Sequence, residues 1–178
     1  MIAAWEQPLL PDKDQSQGVT FIELIVVLAV IAILATLAVP QFLSLVQNNR
    51  LSGTAENLYY SLQNARSEAI KRNATIYVSF QTGDTWCYGI NTGSACNCAV
   101  PTGCDLGTVS APASQQISFS TTGLTSNTLQ FEGTHGAANA SGSITMTLYG
   151  QSTLITVSVG RLGNLQMCST GISGYIGC

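Results

Sequence analysis

Hydrophobic and polar positions follow three successive rules along this chain. From Val19 to Val39, 21 residues carry a single charge, Glu23. At about 1.5 Å per residue, a helix of that length covers about 30 Å, one hydrocarbon thickness of a bilayer. Beyond Pro40 the pattern changes. Leu51, Ala55, Leu58, Leu62, Ala65 and Ala69 recur at spacings of four and three, while Arg50, Asn57, Asn64 and Lys71 fall on other faces. That is one apolar stripe on a helix, suited to packing against a sheet. The two stretches predict one long helix ending near Arg72, with Asn73 placed to cap it. Pro40 removes a backbone hydrogen bond and Gly53 weakens the turn around it, so the helix is expected to be kinked or locally melted between them.

From Ala74 the period becomes two. Ile76, Val78 and Phe80 alternate with Thr75, Tyr77 and Ser79, a half-buried strand. Gly83-Asp84 marks a turn, and Trp86–Ile90 reads as the hairpin partner. Asn91 to Ala113 is rich in Cys, Gly, Thr and Pro and reads as a disulfide-pinned loop. Further short strands are expected at Gln116–Ser120, Thr128–Glu132, Ser143–Leu148, Thr153–Val159 and Asn164–Cys168, separated by Gly/Ser/Asn-rich turns. Their buried faces should hold Ile117, Phe119, Leu129, Phe131, Ile144, Met146, Leu148, Ile155, Val157 and Val159. One long helix followed by short strands implies an α+β chain with antiparallel sheets.

Composition narrows the function. The chain has 178 residues, enough for one domain besides the apolar helix. Charged residues make up 8%, against about 25% in typical soluble proteins. Three of the acids, Glu6, Asp12 and Asp14, precede the apolar run, and from Val19 onward five bases nearly balance six acids. No global charge draws the chain to nucleic acid or anionic lipid. Six cysteines, Cys87, Cys96, Cys98, Cys104, Cys168 and Cys178, all follow the apolar run. An even count on the far side of a membrane segment reads as disulfides. Cys168 with Cys178 is the favoured pair, leaving two bonds among the other four, with Cys96–Cys98 disfavoured. The clustered four lack the paired C-x₂-C spacing of zinc ribbons. His135 is the single histidine and stands in a Gly-Thr-His-Gly loop without a recognisable nucleophile or carboxylate partner. With no Walker A or Gly-x-Ser-x-Gly pattern either, no enzyme, metal or cofactor is expected.

A carboxylate inside a membrane-length apolar run costs about 2.5–3.5 kcal/mol on insertion scales, so Glu23 calls for a partner. A secretory leader would put a small-x-small cleavage site after the apolar core; here a polar segment, Met1–Gly18, comes first and no such site follows. Gly18, Val19, Glu23, the run length and Pro40 together resemble the class III leader and N-terminal helix of type IV pilins and pseudopilins. The resemblance implies cleavage after Gly18 by a prepilin peptidase, methylation of the new N-terminus at Val19, and pairing of Glu23 with a neighbouring subunit's N-terminal amine. Two features depart from the pattern: Val19 stands where Phe or Met is usual, and the leader sets one base, Lys13, against three acids. Topology follows Lys and Arg rather than acids, so Lys13 still marks the cytoplasmic flank.

Ala65–Asn73 running straight into a strand, Trp86 with Gly89, and Gly160-Arg161 after a Thr-Val-Ser-Val strand resemble the GspH/FimT branch. That implies a helix packed beneath two antiparallel sheets. FimT-like members carry a Gly-Arg-x-Arg motif associated with DNA binding; Gly160-Arg161-Leu162-Gly163 keeps the first arginine only. DNA, through Arg161, is therefore the lesser expectation. Arg161 bonded to a carboxylate or backbone carbonyl at a strand end is an equal alternative, and Arg66, Lys71 and Arg72 read as helix-end caps. The resemblance implies a leader at 1–18, a membrane and filament-core helix half at 19–46, and a periplasmic or extracellular globular domain at 47–178. The expected role is that of a minor type IV pilin, anchored in the inner membrane before it joins other minor and major pilins in a pilus. A type II secretion pseudopilin and a pilus-tip DNA receptor are the rivals.

Overall fold

The computed structural model describes residues 18–178 apart from 101 and 113–115, and at Pro40 the backbone alone. The leader assignments before Gly18, Lys13 among them, lie outside the described residues. Helix α1 spans Phe21–Arg72, a single element of 52 residues. Local melting between Pro40 and Gly53 is not found. One missing donor and one glycine are small losses beside the burial that follows: Leu51, Ala55, Leu58, Leu62 and Ala69 are fully buried and Ala65 nearly so. A buried leucine contributes about 1.5–3 kcal/mol, against about 1 kcal/mol for a helical glycine. The helix ends at Asn73, whose φ of 49° lies in the left-handed region. Ala74 N–H donates to the Ala69 carbonyl and Asn73 N–H to the Ile70 carbonyl, both at 3.2 Å. This is a Schellman cap with Asn at its left-handed position.

Among the described residues, nine strands follow. β1 (Ile76–Gln81), β2 (Cys87–Thr92), β3 (Thr108–Ser110) and β5 (Thr128–Phe131) form one sheet in the order β3-β2-β1-β5. β4 (Ile117–Thr122), β6 (Gly142–Leu148), β7 (Leu154–Val159), β8 (Leu165–Thr170) and β9 (Ile176–Gly177) form the other, in the order β4-β6-β7-β8-β9. Register keeps the apolar alternation in phase. Val78 lies opposite both Ile90 and Leu129, and Met146 opposite both Phe119 and Ile155. All the expected inward positions of both sheets are buried, and with the helix stripe they make one core.

Three details depart from expectation. β3 lies inside the segment read as a loop, and β9 was not anticipated. β9 also pairs parallel to β8, Cys168 opposite Ile176, so the second sheet is mixed at that edge. The two sheets meet at the β1–β2 turn. There Gly83 and Phe119 exchange backbone bonds of 2.8 and 3.1 Å, and Trp86 stacks on Phe119 with ring centroids 4.0 Å apart. The compact globular unit runs from Leu43 to Cys178.

Candidate functional site

The N-terminal site starts from Gly18, Val19 and Thr20, which lie outside the helix. Thr20 begins it: its side-chain oxygen accepts the Glu23 N–H at 3.3 Å, and its carbonyl accepts the Leu24 N–H at 3.1 Å. The sequence Thr20-Phe21-Ile22-Glu23 has the spacing of a capping box, a signal available in the sequence and missed there. Glu23 thus stands in the first turn, where the helix presents its partial positive charge. Its carboxylate forms no hydrogen bond or ion pair among the described residues. The apolar residues on either side of it have no protein cover: Val19 is 73% exposed, Phe21 79% and Leu37 67%. By length and composition this helix can cross a membrane.

In the globular unit, Gly160-Arg161-Leu162-Gly163 forms a tight turn. Gly163 N–H donates to the Gly160 carbonyl at 2.8 Å, and Gly160 N–H to the Asn164 carbonyl at 2.9 Å. Arg161 is exposed, and its guanidinium has no partner among the described residues, so the strand-end bond, one of the two alternatives for it, is not seen there. Arg66 takes that part instead. Its Nε donates to the Gly136 carbonyl at 3.0 Å and its Nη2 to the Leu162 carbonyl at 3.2 Å, tying α1 to two loops. Arg66 is therefore no helix-end cap. Lys71 and Arg72 both pair with Glu68, at 3.1 and 2.7 Å, and these pairs hold the Glu68 carboxyl below its ordinary pKa, Arg72 chiefly and then Lys71.

Position 163, where a second arginine would stand in a Gly-Arg-x-Arg motif, cannot take a side chain cheaply. Gly163 has φ of 74°, and a Cβ there would meet the Gly136 carbonyl and come within 2.8 Å of Arg66 Nε. The turn thus offers one exposed arginine and a single phosphate contact.

The cysteines form three bonds: Cys87–Cys98, Cys96–Cys104 and Cys168–Cys178. The first two cover the outer face of the β1–β2 pair. Ser79, opposite Gly89, accepts the Cys96 N–H at 3.1 Å. A Cβ on Gly89 would run into the Cys104 sulfur and lie 3.1 Å from the Cys96 sulfur, so a strand glycine makes room for the cross-links. The third bond closes the β8–β9 edge. His135 contacts Thr134 Oγ1 at 3.1 Å and is exposed. Among the described residues no three metal-ligating side chains gather.

A family model described as type II transport protein GspH matches residues 54–163, and one described as prokaryotic N-terminal methylation motif matches residues 13–39. Among solved structures, the type IV minor pilin FimU of Pseudomonas aeruginosa strain PAO1, in space group P21, is similar. Its TM-score is 0.51 at 19% identity, covering 67% of this chain and 89% of that one. The same pilin in space group P65 gives a TM-score of 0.48 at 18% identity, covering 66% and 91%. No curated protein matches the chain. At such identity the P21 likeness speaks for the fold, a long helix with the same kind of sheet domain. The family model spans more than half of the chain, from the buried helix stripe through the Arg161 turn: the chain belongs to the type II transport protein GspH family, and it carries the prokaryotic N-terminal methylation motif.

Proposed function

We propose that this chain is a minor pilin, a structural subunit rather than an enzyme. It is inserted in the inner membrane through the Val19–Val39 segment and cut after Gly18 by prepilin peptidase. It is then built into a type IV pilus, in a priming or tip complex with other minor and major pilins. One observation carries the reading. The methylation-motif match, residues 13–39, takes in the first part of α1, from Phe21 on, which is apolar on every side and has no protein cover.

The chemistry is packing and charge neutralisation. Cleavage after Gly18 creates an ammonium at Val19, next to the positive end of the helix dipole, an unfavourable position for a cation. Glu23, uncommitted among the described residues, neutralises the amine of an incoming subunit. The globular unit docks on neighbouring pilins. Mass spectrometry of the protein recovered from sheared filaments tests this: the expected species begins at a methylated Val19. A different N-terminus, or absence from the filaments, would overturn the reading.

The description of the matching family favours a second reading, a pseudopilin of a type II secretion system. Both give the same processed N-terminus. They part on location and on genetic neighbours: secretion-system core genes beside this one and a protein confined to the periplasm would favour the pseudopilin.

A further inference from the structure

Two sites on the globular unit are chemically unfinished, one in want of donors and one in want of acceptors. The first is a cleft of about 480 Å³ between the Leu45–Glu56 stretch of α1 and the Gly171–Tyr175 loop. Asn48 also lines it, with its side-chain oxygen shut off from solvent and bonded to nothing among the described residues. Glu56 accepts the Tyr175 phenol at 2.8 Å and has no cationic partner among the described residues. The other lining groups include Leu45, 60% exposed, and Ile172. The loop wall is firm. The Cys168–Cys178 bond closes it, β9 pairs with β8 at its end, and Gly171 turns it at φ of 92°. A firm cleft with a carboxylate that lacks a cationic partner among the described residues and an apolar wall suits a guanidinium, which carries five donors and no acceptor.

The second site is the Gly160–Gly163 turn. Arg161 is exposed and unpaired among the described residues, and Leu162 beside it is 80% exposed. The backbone that presents them is held from three sides. Gly163 N–H bonds the Gly160 carbonyl at 2.8 Å, Ala138 N–H the Arg161 carbonyl at 2.9 Å, and Arg66 the Leu162 carbonyl at 3.2 Å. A cation with an apolar neighbour on a fixed turn loses little freedom on binding. One chain does not fill its own cleft. The turn is tied to α1 at Arg66, ten residues and so about 15 Å along the axis from Glu56.

We propose that the Arg161–Leu162 turn of one copy seats in the Leu45–Asn48–Glu56–Tyr175 cleft of a second copy. Arg161 binds the Glu56 carboxylate, and Leu162 lies against Leu45 and Ile172. The contact uses different patches on the two partners, so the copy that gives its turn keeps a free cleft, the other keeps a free turn, and association continues head to tail. It stands on the globular unit alone and does not depend on cleavage at Gly18.

Sedimentation of the full chain in detergent micelles, at low and high salt, tests it. The wild-type chain should self-associate, more weakly at high salt. Glu56→Arg and Arg161→Glu should each weaken association by about tenfold or more, and the double variant should recover it. Arg161→Glu changes an exposed, unpartnered side chain, so it reads the contact even if Glu56→Arg disturbs the Tyr175 loop. A monomeric wild type, unaltered association in Arg161→Glu, or a double variant as weak as its parents would overturn the proposal. Association through the apolar helix alone would be insensitive to all three changes and counts against it. None of these outcomes bears on the mature N-terminus, which tests the pilin reading separately.

Discussion

Leucines at two levels of α1 meet opposite fates. Leu28 and Leu34 are 57% and 60% exposed, while Leu51, Leu58 and Leu62 are fully buried. Residue type and backbone are the same in both stretches; the arrangement of neighbours differs. Before Pro40 apolar side chains surround the helix, so no single face is preferred and no sheet of this chain covers them. After Leu51 they narrow to one stripe, and the remaining faces carry Asn, Gln and charge, so one side alone can join a core. Hydrophobic content therefore does not decide where a residue is buried. An all-round apolar helix needs a surrounding solvent of lipid or other helices; a striped one needs a partner surface within its own domain.

Substitutions separate the two stretches. Leu58→Ala should lower the unfolding free energy of the globular unit by about 2–5 kcal/mol in urea titration, because the site sits at the centre of a closed core. Leu28→Ala should leave the same transition within about 0.5 kcal/mol. If both changes cost the same, the helix is not divided as described. The reciprocal experiment is Leu28→Arg, which should oppose membrane partition by about 2.5–3.5 kcal/mol while the globular unfolding midpoint stays put. Membrane flotation of the full chain reads the first quantity.

Two smaller effects belong to the globular unit alone. Gly163→Arg writes in the second arginine of the Gly-Arg-x-Arg pattern, and it should destabilise by about 1–3 kcal/mol through its positive φ and the crowding at Gly136 and Arg66. Stability unchanged by that variant would mean the turn is softer than its hydrogen bonds indicate. The last concerns pH. Burial raises the pKa of the Tyr88 phenol, and its bond with Ser61, 3.1 Å long, offsets this in part. The folded state favours the neutral phenol, so its contribution is complete below the unfolded value near 10.0 and is lost as pH climbs through the higher folded value. Tyr88→Phe should flatten the fall in urea midpoint between about pH 9 and pH 11. An equal fall in wild type and variant would assign it elsewhere.

Local periodicity was enough to place the helix stripe, the cap at Asn73 and the inward faces of five strands, because each is set by side chains a few residues apart. β3 and β9 escaped for the converse reason. At three and two residues they are too short to show alternation, and β9 exists through pairing with β8 and the Cys168–Cys178 bond. Arg66 was misassigned because its acceptors, Gly136 and Leu162, are 70 and 96 residues away. At the N-terminal site both the motif residues and the Thr20 cap are local features, the cap spanning the three residues from Thr20 to Glu23. Arg161 was noticed for what it lacks, a second arginine; the reason, a crowded left-handed glycine at 163, is tertiary.

The threonine cap bears on how such a chain could be trimmed. A protease closes on extended backbone and cannot grip a peptide bond already wound into a helix. The bond between Gly18 and Val19 lies outside α1, and Thr20 supplies the helix's first anchor from downstream of it. Removing the leader there would leave every turn of the rod wound and its opening knot tied. The same few residues would serve first as a protease's substrate and afterwards as a finished end for stacking.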